Sequence, residues 1–87
     1  VSRRRGKVET TEYLGAARRF IRAAGERVAD ADPIDLADLI ALEGVLAKAI
    51  QTAVDGQRTR FSWAEIAEGI GTTRQAAFKR FGRKTTP

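Results

Sequence analysis

Apolar positions recur along most of the chain at helical spacing, and each recurrence ends at a cap or a breaker. In TTEYLGAARRFIRAAGERVAD, at about 100° per residue, Tyr13, Leu14, Ala17, Phe20, Ile21, Ala24 and Val28 share one face. Arg18, Arg19, Arg22 and Glu26 fall on the other. The pattern predicts an amphipathic helix from about Thr11 to Ala29, capped by Thr10 or Thr11, with Glu12 favourably placed in the first turn. A second helix should open at DPIDL, where Asp32 suits the cap, Pro33 the first helical position and Asp35 the first turn. Leu36, Leu39, Ile40, Leu46, Ala47, Ile50, Ala53 and Val54 stripe it as far as Asp55-Gly56. Its opposite side is also largely apolar, through Ala37, Ala41, Val45 and Ala49, so it should be covered on more than one side. Glu43 lies within the stripe, where a carboxylate must reach the rim or find an arginine.

The pattern then shortens. In FSWAEIAEGIGTTRQAAFKRFG, Ser62 and Glu65 have the spacing of a capping box. Trp63, Ile66, Ala67 and Ile70 form the inward face of a short helix. Gly71 ends it by tolerating a left-handed backbone. Thr73 caps a further helix from Arg74 to about Phe81. Ala67 and Ala77 are small where these helices should cross, and Phe81 anchors the second to the core. Two short helices joined by a glycine-containing turn make a helix-turn-helix. The fold class is therefore all-α with four helices in one domain: an antiparallel two-helix hairpin over residues 10–55, then a helix-turn-helix over 61–82. A flexible basic arm over 1–9 precedes them and a basic tail over 83–87 follows.

Composition narrows the chemistry. The chain has 87 residues, 43% of them hydrophobic, which suits one modest core. It has neither cysteine nor histidine, so disulfides, thiolate zinc sites and the most versatile acid–base side chain are excluded. No pair of carboxylates is spaced for a metal, and the expectation is a non-enzymatic protein with no catalytic residue, metal or cofactor. No apolar run reaches the ~20 residues of a membrane span. Arg3, Arg4 and Arg5 are not followed by the apolar stretch of a signal peptide, so a cytoplasmic, nucleoid-associated location is expected.

The net charge of +5 is partitioned. Residues 1–8 carry four basic groups and no acid, residues 9–55 five basic and nine acidic, and residues 56–87 seven basic and two acidic. Two positive ends around a negative middle suit a polyanion partner, because lysine and arginine contacts release counterions condensed on phosphates.

The segment SWAEIAEGIGTTRQAAFKRF resembles the bacterial DNA-binding helix-turn-helix of small actinobacterial and phage proteins and of region four of sigma factors. The resemblance rests on Trp63, Glu65-Ile66-Ala67, Gly71, Thr73, Arg74 and Gln75, and covers about a quarter of the chain. Thr72 departs from it, standing where the family usually has an apolar residue that plugs the turn. The resemblance implies double-stranded DNA as partner, with the second short helix in the major groove. Thr73, Arg74, Gln75, Phe78 and Lys79 are then the base readers: arginine suits the O6/N7 edge of guanine, and glutamine the N6/N7 edge of adenine. Two roles stay open for Phe78, contact with a thymine methyl or folding back onto the core. Arg58, Arg60, Arg80, Arg83 and Lys84 suit phosphates, and Arg3, Arg4, Arg5 and Lys7 suit an arm in the adjacent minor groove. Such motifs usually act in pairs on two half-sites, so a homodimer is expected. The expected role is that of a transcriptional regulator or a phage or plasmid accessory factor. The alternatives are a protein-interaction module using the first two helices, and a general nucleoid protein with the motif as scaffold.

Overall fold

The computed structural model describes residues 2–82, with side chains from residue 9 onward. Among them are four helices and no strand: α1 (Ser2–Ala29), α2 (Pro33–Gln57), α3 (Trp63–Ile70) and α4 (Arg74–Phe81). The chain divides into two compact units, Val1–Leu42 and Glu43–Pro87, and α2 contributes to both.

In the first unit, α1 begins at Ser2, well ahead of the expected start near Thr11. The backbone expected to be a flexible arm is thus helical, and Thr10 and Thr11 lie inside the helix rather than at its cap. The physical reason is the lack of a stop: arginine, lysine and glutamate favour helix, and the lone Gly6 costs only about 1 kcal/mol. The turn after α1 is closed by the amides of Asp30 and Ala31, which donate to the carbonyls of Arg27 and Val28 at 3.2 and 2.9 Å. Pro33 opens α2 as expected. The Asp32 carbonyl accepts from the Asp35 amide at 2.9 Å, while the Asp32 amide donates to the Asp35 carboxylate at 3.4 Å. Gly25, Val28, Leu36 and Leu39 line a shallow cleft beside this turn.

The second unit holds all the buried residues among those described: Val54, Ile66, Ala67, Ala77 and Phe81. The expectation that α2 is covered on several sides is not met within the chain, since Val54 is its one buried residue among those described. Leu36, Ile40, Val45 and Leu46 on it are exposed. Glu43 reaches the rim: it is exposed, beside a groove that Leu46, Ile50 and Arg80 also line. Gly56 does not stop α2, which continues to Gln57. The Gly56 carbonyl accepts from the Thr59 hydroxyl at 2.7 Å, and the Val54 carbonyl from the Arg58 amide at 2.9 Å.

Candidate functional site

The α3–α4 pair is built from its caps inward. Ser62 has extended backbone and its hydroxyl accepts from the Glu65 amide at 3.1 Å. The Glu65 carboxylate accepts from the Ser62 amide at 2.8 Å, which completes the capping box. At the other end Gly71 has φ 76°, in the left-handed region. The Gly71 amide donates to the Glu68 carbonyl at 3.2 Å and the Thr72 amide to the Ala67 carbonyl at 2.9 Å. Those two bonds define a Schellman termination, which satisfies carbonyls that the helix end would leave orphaned. Exposed Thr72 therefore serves the turn through its amide, without the apolar plug. Thr73 then caps α4, its hydroxyl accepting from the Ala76 amide at 3.1 Å.

Ala67 and Ala77 are 2% and 1% exposed, which fits their expected place at a close crossing of α3 and α4. Ile66 and Phe81 are buried and Trp63 is half-buried. Ile70 is the exception to the expected inward face: it is 54% exposed and lines an open groove with Phe61, Glu65 and Ile66. It occupies the last position of α3, the chain turns away at Gly71, and no described residue covers it.

Of the expected base readers, Thr73, Arg74, Gln75, Phe78 and Lys79 are all exposed on α4 and its cap. Arg74, Gln75 and Phe78 converge with Trp63 around a cleft of about 330 Å³. Phe78 neither enters the core nor stands free. Its ring meets the Trp63 ring edge to face, with centroids 5.6 Å apart and planes at 88°, and it remains 54% exposed.

Three of the expected phosphate contacts have local work. The Arg58 guanidinium lies 4.9 Å from the centre of the Trp63 ring and donates to the Phe61 carbonyl at 2.8 Å. Arg60 and Arg80 lie over the rings of Phe61 and Phe81, at 5.0 and 4.7 Å. All three remain exposed, so their charge still faces solvent. The side chains of Arg3, Arg4, Arg5 and Lys7, and all of Arg83 and Lys84, lie outside the described residues.

Gln51 is a contributor that periodicity did not reveal. From α2 its side-chain amide donates to the Phe81 carbonyl at 2.9 Å and to the Asp55 carboxylate at 2.9 Å. The first bond holds the end of α4 to α2 within the second unit. A glutamine thirty positions from its acceptor has no signature in spacing.

Among the described residues no group of three or more carboxylates is placed to hold a metal, and no helix is long and apolar enough to cross a membrane. Compared with known proteins, the chain matches no family model, no curated protein and no solved structure.

Proposed function

We propose that this chain binds double-stranded DNA sequence-specifically, with α4 in the major groove, as a transcriptional regulator or a phage or plasmid accessory factor. The observation that carries the reading is the division of α4. Ala77 and Phe81 are spent on packing, while Thr73, Arg74, Gln75, Phe78 and Lys79 remain exposed on a helix fixed by the Gly71 turn. A helix presented in this way, with its N-terminal side chains free, meets the steric requirement of the major groove. Arg74 and Gln75 in its first turn supply the two side chains best matched to guanine and adenine edges. Arg58, Arg60, Arg80 and the basic segments at both ends supply the phosphate contacts of the same reading.

Sequences selected from a random duplex pool, followed by binding curves at two salt concentrations, test it. Arg74→Ala should weaken the selected site by about 1–3 kcal/mol and relax the preference at one base pair. Arg60→Ala should weaken selected and scrambled DNA alike and flatten the log–log salt slope by about one unit. Equal losses on both DNAs for Arg74→Ala would reduce Arg74 to a phosphate contact and favour a general nucleoid protein. The absence of salt-dependent retention on duplex DNA would sink the reading.

A further inference from the structure

Phe78 is in an unusual position for a large apolar side chain on an otherwise polar helix face. Trp63 takes one side of the ring in an edge-to-face contact at 5.6 Å. On another side lies Gly82, where an added Cβ would stand 2.7 Å from Cδ1 and 2.9 Å from Cε1 of the ring, and 2.7 Å from the Phe78 carbonyl oxygen. The bare glycine leaves room there for the ring and for the helix-end carbonyl alike. Trp63 is itself held by the Arg58 guanidinium on its face. The ring is thus positioned by neighbours on two sides while half of it faces solvent, beside Arg74 and Gln75. An aromatic fixed in advance loses little freedom on binding and offers an apolar surface for a small group.

In the major groove the apolar group within reach is the methyl on C5 of a pyrimidine. Arg74 and Phe78 are one helical turn apart and neighbours on the surface of α4. That turn rises about 5.4 Å, against about 3.4 Å between stacked base pairs, so the two side chains address positions one or two base steps apart. We propose that the Trp63–Phe78 pair is a methyl-reading subsite: Phe78 contacts the 5-methyl group of a pyrimidine within two base steps of the guanine that Arg74 reads. The inference rests on the DNA reading above and adds a chemical class of target. Thymine and 5-methylcytosine present the same methyl, so both are ligands of this subsite.

The experiment uses the full chain and its selected duplex site. Each thymine is replaced in turn by deoxyuridine, which keeps the pairing and removes only the methyl. One position should lose about threefold to fivefold in affinity, the worth of one buried methyl. Phe78→Ala should bind the thymine and deoxyuridine forms equally. In a duplex carrying cytosine at the sensitive position, 5-methylation should restore a similar factor. Helical circular dichroism and its urea midpoint check that each variant is folded. If the wild type binds but every deoxyuridine is neutral, or if Phe78→Ala keeps the methyl dependence, this inference fails and the DNA reading stands. If the wild type binds no duplex, both fail together.

Discussion

At Gly71 the backbone stands at φ 76°, and beyond the adjoining residues nothing lies within 4 Å of where a Cβ would be. A substitution there meets strain rather than a clash. Gly71→Val should therefore cost about 1–2 kcal/mol through the left-handed backbone alone, read as a lower urea midpoint. It should also abolish DNA binding, because the turn sets the direction of α4. Gly71→Asn, which tolerates this conformation better, should recover much of both. A valine variant that melts like the parent and still binds would contradict the left-handed turn. Ser62, Glu65, Gly71 and Thr73 were legible in sequence because each acts over three or four residues, where spacing determines geometry. Gln51 and Arg58 were not, since their partners are met only after helices pack or loops fold back.

At the scale of the element, α4 is eight residues long, too short to be stable alone. It is held at both ends, by the Thr73 hydroxyl on the Ala76 amide and by the Gln51 amide on the Phe81 carbonyl. Loss of either hold should cost about 1 kcal/mol. Thr73→Ala and Gln51→Ala act on opposite ends and share no partner, so their costs should add in urea denaturation. A double variant no less stable than either single one would show that α4 does not depend on both. The lengths of α1 and α2 are less legible in the sequence than those of α3 and α4. Thr10 and Gly56 resemble stops, but helix continues through each because the neighbouring residues favour it.

For the whole molecule, the leading question is what covers the apolar surface. None of the described residues of Val1–Leu42 is buried, and Phe20 is 81% exposed. A unit without a core of its own needs a cover. A second copy suits it, because it brings the same exposed apolar face of Leu14, Phe20 and Ile21. Sedimentation at micromolar concentration should show twice the 9.5 kDa mass, and Ile21→Asp should return the protein to a monomer. A wild type sedimenting only at 9.5 kDa, with and without DNA, would refute self-association. The basic start of α1 bears on affinity in the same way at long range. Deleting residues 1–7 removes four positive charges, and the log–log salt slope should fall by about 3–4 units if all four meet phosphates. An unchanged slope would mean that they meet none.

The sequence alone determined the helical class, the order of the four helices and the turn at Gly71. Those follow from periodicity and from caps whose partners lie within one helical turn. Tertiary structure decided which apolar side chains are buried, and it chose Val54 and Phe81 over Ile70. It also decided the place of Phe78, held by Trp63 fifteen positions earlier and by the room that Gly82 leaves. Helical spacing assigns a residue to a face. Whether another element arrives to cover that face depends on contacts between distant parts of the chain, which no local pattern encodes.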